Sequence, residues 1–104
     1  MESFRVEFLH GSASDLQEIA SYITLELMNP ESASRIVERI NNSGKSLAIM
    51  PQRYRLVDDV RLARKGIRMM PVENYFLFYT IDKRRKRVSI LRVLYNRRNW
   101  KRLL

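Results

Sequence analysis

Residues 66–96 read GIRMMPVENYFLFYTIDKRRKRVSILRVLYN, and this stretch decides the fold. It contains three runs rich in β-branched and aromatic residues, and the polar cluster at 83–86 indicates a hairpin turn between the second and third. The run at 75–81 is nearly continuous in apolar residues, which is typical of a central strand covered on both faces. The stretch therefore predicts an antiparallel β-meander.

The segment that begins the chain predicts a strand followed by a helix. FRVEF, within residues 3–9, alternates apolar and charged residues with the period of a half-buried strand. Ser12 with Asp15, or Ser14 with Gln17, has the spacing of side chains that cap the start of a helix. The apolar stripe of this first helix consists of Leu16, Ile19, Ala20, Ile23 and Leu27.

A second helix is predicted directly after the first. Asn29 is suited to cap it, Pro30 fits its first position, and Pro51 stops it. Gly44 lies in its apolar stripe and indicates close approach to a neighbouring element. Because the connection is so short, the two helices should run antiparallel as a hairpin. The stripe consists of Ala33, Ile36, Val37, Ile40, Leu47 and Met50.

The remaining segments complete the predicted fold. Residues 51–66 have no clean period and predict a loop with room for one helical turn, whereas Trp100, Leu103 and Leu104 have the spacing of a final turn packed on the sheet. We therefore predict one α+β domain over residues 1–104. Its elements are an N-terminal strand, an antiparallel helical hairpin, an antiparallel β-meander forming one sheet with the first strand, and a short C-terminal helix.

Positive charge is concentrated in the second half of the chain. The formal net charge is +9 over 104 residues. Residues 1–52 carry four basic and seven acidic side chains, a net −3, whereas residues 53–104 carry sixteen and four, a net +12. Such a concentration favours a polyanionic partner, either nucleic acid or an acidic protein, although solubility alone is the simpler explanation.

Residue usage argues against metal, cofactor and membrane functions. The chain has no cysteine and one histidine, His10, so a thiolate or histidine metal site is not expected. His10 is interpreted as a loop residue after the first strand. No apolar run approaches the roughly 18 residues that span a bilayer, and no secretory leader pattern is present. We expect a cytoplasmic protein with no cofactor.

Two segments resemble a known family. GIRMMPVENYFLFYTID at 66–82 and ILRVLYNRRNWKRLL at 90–104 resemble the RelE/ParE superfamily of bacterial toxins from type II toxin-antitoxin systems. The resemblance implies a small basic toxin that is silenced by a cognate antitoxin in an oligomeric complex. RelE-like members cut messenger RNA on the ribosome, and ParE-like members poison DNA gyrase. We predict the ribosome-dependent endonuclease, with gyrase inhibition as the first alternative and a non-catalytic basic module binding nucleic acid or a partner as the second.

The resemblance to RelE-like enzymes implies four candidate catalytic residues. Arg97 would stabilise the charge of a phosphorane, Tyr95 would hold or donate a proton, and Arg68 and Arg98 would clamp the phosphate. All four are expected to line one edge of the sheet. Phe76, however, occupies the position after the central-strand tyrosine where RelE-like enzymes carry an arginine. Gyrase inhibition by contact requires no such set.

Further basic residues are candidates for contact with the target. Arg61, Arg64 and Lys65 precede the second predicted strand, and Arg92 interrupts the last one. Arg68 and Arg92 also have a structural interpretation, as inward-facing arginines paired with an acid such as Glu73 or Asp82. Tyr95 and residues 83–87 also have structural interpretations. Tyr95 would be an ordinary strand aromatic, and the basic residues 83–87 would form a solvated hairpin turn.

Overall fold

The computed structural model describes residues 2–104. Four strands are present, β1 (Arg5–Phe8), β2 (Arg68–Val72), β3 (Tyr75–Asp82) and β4 (Arg87–Tyr95). The helices are α1 (His10–Ser21), α2 (Pro30–Lys45) and the single turn α3 (Val60–Ala63). Shorter pieces are a π-helical turn at Tyr22–Glu26 and 3₁₀ turns at Ser46–Ala48, Pro51–Arg53 and Trp100–Arg102.

The four strands form one sheet in the order β1-β4-β3-β2. The meander is antiparallel, as predicted, and β1 joins it as an edge strand parallel to β4. A parallel pair needs a crossover connection, which the two helices between β1 and the meander provide. The predicted α+β fold is confirmed, and the loop at 51–66 contains the single helical turn α3.

The hairpin of α1 and α2 covers one face of the sheet. Asn29 caps α2 by accepting a hydrogen bond from the N–H of Ser32 at 3.1 Å, as its position before Pro30 predicts. Gly44 meets the sheet so closely that an added Cβ would lie 2.6 Å from Phe8. The core between these layers includes Ile36, Ile40, Val88, Ile90 and Val93.

Three predictions about the helix ends are wrong. Helix α1 begins at His10, so this residue is helical and not part of a loop. Neither Ser12 nor Ser14 caps the helix, because both lie inside it. Helix α2 ends at Lys45, where a 3₁₀ turn takes over, well before Pro51.

The end of α1 departs from the predicted apolar stripe. A π-helical turn widens the spiral at Tyr22–Glu26, which shifts the following residues around the helix axis. Leu27 was predicted to be buried and is instead exposed, together with Leu25. Met28 follows with a positive φ of 51° and an exposed fraction of 84%. The tip of the helical hairpin therefore presents apolar side chains to solvent.

The opposite face of the sheet is only partly covered. The loop that carries α3 and the C-terminal turn pack there on Phe78, whose ring centroid lies 5.1 Å from that of Trp100. Leu103 and Leu104 join this second cluster, so the predicted anchoring of the chain end is confirmed, although the turn is 3₁₀. None of the residues of β1 belongs to the second cluster, and its outer face remains open.

Tyr79 gives the fold a measurable dependence on alkaline pH. Its side chain is fully buried and its hydroxyl donates a hydrogen bond to the carbonyl oxygen of Pro51 at 2.5 Å. Burial raises the pKa of Tyr79 to about 12 from its ordinary value of 10.0. The unfolded chain therefore loses this proton first, so the stabilisation is complete below pH 10 and is lost as pH rises toward 12. We expect the free energy of unfolding to fall by up to about 2–3 kcal/mol from this group over that interval.

The contribution of Tyr79 is isolated by comparing denaturant unfolding of the protein and of Tyr79→Phe at several pH values. The variant should be less stable at neutral pH, because Pro51 loses its donor, yet its stability should fall less between pH 10 and 12. Tyr22→Phe, which changes an exposed tyrosine, is the matched control. Identical pH profiles for the protein and Tyr79→Phe would contradict the assignment.

Candidate functional site

The end of β4 brings together three of the predicted catalytic residues. Tyr95 is the last residue of the strand, and its ring meets that of Tyr75 edge to face at 6.0 Å. The N–H of Arg98 donates to the carbonyl oxygen of Tyr95 at 3.0 Å, which closes a tight turn containing Arg97. All three predicted side chains are exposed. We call Tyr95, Arg97 and Arg98 the strand-end cluster.

Arg68 lies away from the strand-end cluster. It begins β2 and is opposite Tyr79, whereas Val72 at the other end of β2 is opposite Tyr75. Four residues of strand separate these levels, a distance of roughly 13 Å. The guanidinium of Arg68 donates to the carbonyl oxygens of Tyr54 at 2.6 Å and Gln52 at 3.3 Å. The prediction that Arg68 lines the same edge as Tyr95 is therefore wrong, and its partners are backbone carbonyls, not an acid.

Arg92 forms a bidentate ion pair with Asp15, the least exposed acid among the ion pairs of residues 2–104. Its Nε and Nη2 donate to the two carboxylate oxygens of Asp15 at 2.8 and 2.9 Å, and its Nη1 donates to the carbonyl oxygen of Leu103 at 3.3 Å. The hydrogen bonds to Asp15 raise the pKa of Arg92. The predicted structural role is right, but the predicted acids, Glu73 and Asp82, are wrong. Contact between Arg92 and a target stays a prediction. The guanidinium of Arg92 is already engaged with Asp15 and Leu103 within the chain.

Two side chains of α1 bond to the backbone of β4, and Asp15 does so where β4 lacks a strand partner on that side, whereas Ile90 is still paired with Phe8 of β1. Strand β1 ends at Phe8, so the rest of β4 lacks a neighbour on that side. Asp15 accepts a hydrogen bond from the N–H of Val93 at 2.8 Å, and the hydroxyl of Ser12 donates to the carbonyl oxygen of Ile90 at 2.8 Å. Sequence reasoning missed this role. The available signal was two polar residues at the spacing of one helical face, inside an otherwise apolar stripe.

A groove of about 740 Å³ adjoins the strand-end cluster. It lies between the helical hairpin and the ends of β3 and β4, and its floor includes Tyr75, whose pKa is raised chiefly by burial and secondarily by Tyr95. Charged side chains of both signs stand along it, Glu18, Arg35 and Arg98 among them. The apolar part of the lining comprises Ile19, Tyr22, Ile23, Leu27, Ile36, Tyr75, Val93, Leu94 and Tyr95.

Two ion pairs join α2 to the β2–β3 turn next to the groove. Arg35 Nη1 and Arg39 Nε lie 3.0 and 3.1 Å from the same oxygen of Glu73. Glu73 itself has a positive φ of 54° in the turn between the strands. These contacts link the second helix to the turn between β2 and β3 beside the groove, and Arg35 also lines it.

The other predicted target-binding residues lie on the partly covered face of the sheet, in and just after α3. Asp59 caps α3 by accepting a hydrogen bond from the N–H of Leu62 at 3.1 Å. The guanidinium of Arg61 donates to the carbonyl oxygen of Lys101 at 3.3 Å, which joins α3 to the C-terminal turn. We call the exposed basic residues of these two elements the cationic surface, which comprises Arg61, Arg64, Lys65, Lys101 and Arg102.

Comparisons with known proteins identify relatives of the chain. Residues 6–100 match the model of the ParE toxin of the type II toxin-antitoxin system parDE. A chain of the chromosomal ParDE toxin-antitoxin system from P. aeruginosa is similar in structure, with a TM-score of 0.74 and 21% identity, covering 91% of this chain and 98% of that one. No curated protein matches the chain.

A second solved structure has the same fold. It is a chain of the toxin-antitoxin complex RelBE2 from Mycobacterium tuberculosis, with a TM-score of 0.68 and 21% identity, covering 89% of this chain and 98% of that one. At this identity both structures bear on the fold alone, which they confirm. Within residues 2–104, no helix has the length and apolar character needed to cross a bilayer.

Proposed function

Because the chain belongs to the ParE toxin family of type II toxin-antitoxin systems, we propose that it inhibits growth by contact with DNA gyrase. Its predicted membership of the RelE/ParE superfamily is confirmed. The choice of gyrase over ribosome-bound mRNA as the target is our proposal. It reverses the order in the sequence analysis, which placed the mRNA endonuclease first.

The position of Phe76 carries the proposal. Phe76 pairs with Leu94 across the sheet and packs in the second apolar cluster, with its ring centroid 6.2 Å from that of Phe78. The residue that stands where RelE-like enzymes carry an arginine is therefore part of the core beneath the C-terminal turn. Arg68, which could have supplied a charge instead, is held at the other end of β2. These two observations favour contact over cleavage.

The strand-end cluster and the neighbouring cationic surface are suited to an acidic protein surface. Within residues 2–104, no acidic side chain lies within ion-pair distance of Arg97 or Arg98. Arg61 is likewise exposed, with only a backbone carbonyl as its partner. Unpaired exposed arginines accelerate association with a negatively charged partner and fix its orientation. Gyrase is proposed to bind here.

A cognate antitoxin is proposed to silence the toxin by occupying the groove. The two similar structures come from toxin-antitoxin complexes. The groove of this chain is mostly apolar, and Arg35 and Arg98 stand along it, so it suits an amphipathic segment with acidic residues on its polar face. Because Tyr95 and Arg98 line the groove, such a segment would also cover the strand-end cluster. An oligomeric complex stays a prediction.

One observation favours the mRNA endonuclease as a second candidate. Tyr95, Arg97 and Arg98 follow one another closely at the end of β4 and in the turn after it, and all three are exposed. A tyrosine hydroxyl and guanidinium groups are of the types that could move a proton and stabilise phosphorane charge. The two candidates differ in what they require of Tyr95, since contact can use its ring whereas proton transfer needs its hydroxyl.

The test combines pulse labelling in induced cells with two purified assays, gyrase supercoiling and cleavage of ribosome-bound mRNA. We expect DNA synthesis to fall first, supercoiling to be inhibited, and both effects to persist in Tyr95→Phe and vanish when the cognate antitoxin is co-expressed. Early loss of translation with cleaved messages, abolished by Tyr95→Phe, would establish the endonuclease instead. No growth defect at all would exclude both targets.

A further inference from the structure

One corner of the sheet is open on the face that points away from the helices. Successive residues alternate there between core positions and outward positions, along β1, the first half of β4 and the second half of β3. The outward side chains near the β3–β4 turn are Arg5, Glu7, Thr80, Asp82, Arg87 and Ser89, and none of them belongs to the apolar cluster on this face. Together with the turn residues 83–86 they form what we call the basic corner.

Positive charges crowd the basic corner. Arg5 is directly opposite Arg87 in the parallel pair of β1 and β4, and like charges in facing positions destabilise a sheet. Asp82 lies 4.0 Å from Arg85 and Glu2 pairs with Lys86, so some of the turn is neutralised. Within residues 2–104, no acidic side chain lies within ion-pair distance of Lys83, Arg84, Arg5 or Arg87. An anion bound at this corner would relieve the repulsion.

We propose that the basic corner binds the phosphate backbone of duplex DNA. Arginine, lysine, serine and threonine side chains are the usual phosphate contacts of DNA-binding proteins, and Thr80 and Ser89 face each other on the two central strands beside the cations. The basic corner contains no aromatic side chain. Single-stranded nucleic acids are bound largely by stacking of bases on aromatic rings, so a duplex is the better fit.

The assignment to DNA rests on the proposed gyrase target, because gyrase holds a DNA duplex. Strand β4 runs from Arg87 in the basic corner to Tyr95 in the strand-end cluster, a length of roughly 25 Å. The two surfaces therefore lie at opposite ends of the molecule. A toxin bound to gyrase through the strand-end cluster could contact the duplex through the basic corner at the same time.

The experiment measures binding of the purified chain to a DNA duplex of about 20 base pairs by fluorescence anisotropy, between about 50 and 200 mM salt. The double variant Lys83→Ser, Arg84→Ser removes two exposed charges from the turn. It should lower the slope of log affinity against log salt by about two, since each lost phosphate contact accounts for about 0.9. The control is Lys45→Ser, Arg55→Ser, which removes the same charge from exposed positions outside the basic corner and the proposed gyrase contact and should leave the slope unchanged.

Three results would overturn the proposal. Equal loss of slope in the two double variants would mean that net charge alone drives binding. Equal affinity for a duplex RNA of the same sequence would exclude the assignment to DNA, and tighter binding of polyglutamate would indicate an acidic protein partner. The assay contains no gyrase, so its result is independent of gyrase inhibition. DNA binding that depends on the turn residues 83–86 would stand even if gyrase were not inhibited. Gyrase inhibition would likewise stand even if the chain did not bind DNA. Melting temperatures confirm that the variants are folded.

Discussion

Replacing Asp15 with alanine is expected to lower the free energy of unfolding by about 3–5 kcal/mol, because it leaves a partly buried charge unpaired. The Asp15 side chain is only 6% exposed and accepts both hydrogen bonds of the Arg92 fork. It also accepts the N–H of Val93, which is buried where β4 extends past the end of β1 and lacks a strand neighbour on that side. One substitution therefore removes the partner of a guanidinium and of a backbone donor at once.

The effect of the Asp15 substitution should be specific to its position. Glu18→Ala, one turn further along α1 and exposed, is the matched control and should change stability by less than about 0.5 kcal/mol. At about 4–8 °C per kcal/mol for a domain of this size, the melting temperature of Asp15→Ala should fall by at least about 12 °C. A loss no larger than that of the control would mean that water replaces the carboxylate without penalty.

A double-mutant cycle separates the ion pair from the backbone hydrogen bond. Arg92→Met removes the partly buried cation. The double variant Asp15→Ala, Arg92→Met should therefore lose less stability than the sum of the losses in the two single variants. What remains in the double variant is the unpaired N–H of Val93 and the space left by Asp15. Strict additivity would show that Arg92 and Asp15 do not stabilise one another.

The parts of the fold that were predicted correctly depend on local pattern. The apolar run of β3, the polar turn after it, and the pair Asn29–Pro30 each fix a structure through neighbours a few residues away. The Asp15–Arg92 pair links residues 77 positions apart, and nothing near either residue marks the other. The capping motif assigned to Asp15 was a local explanation for a residue whose role is tertiary.

The prediction for Arg68 failed for a different reason. In an antiparallel meander of three strands, the start of the first strand and the end of the third lie at opposite ends of the sheet. Arg68 starts β2 and Tyr95 ends β4, so the predicted topology already separated them. Tyr95, Arg97 and Arg98 share one tight turn, so their closeness follows from sequence, whereas their role stays a prediction. The groove, by contrast, is lined in part by residues of a π-helical turn that the helical period did not reveal.

The strand-end cluster provides the prediction with the largest functional effect. Arg97→Ala should abolish growth inhibition while the free energy of unfolding changes by less than about 0.5 kcal/mol, because its side chain is exposed and no acidic side chain within residues 2–104 pairs with it. Trp100→Ala should instead lower stability by about 2–4 kcal/mol, because its ring packs on the fully buried Phe78. Any loss of toxicity in that variant should follow its loss of folded protein.

Growth after induction, normalised to the soluble amount of each variant, distinguishes these two roles. Arg55→Ala is the matched control, since it removes one exposed positive charge outside the strand-end cluster and the cationic surface and should remain toxic. If Arg55→Ala were as harmless to cells as Arg97→Ala, inhibition would depend on net charge and not on the strand-end cluster. If Arg97→Ala unfolded and Trp100→Ala stayed stable but lost toxicity, the contact surface would be the C-terminal turn, and the end of β4 would serve only to hold it.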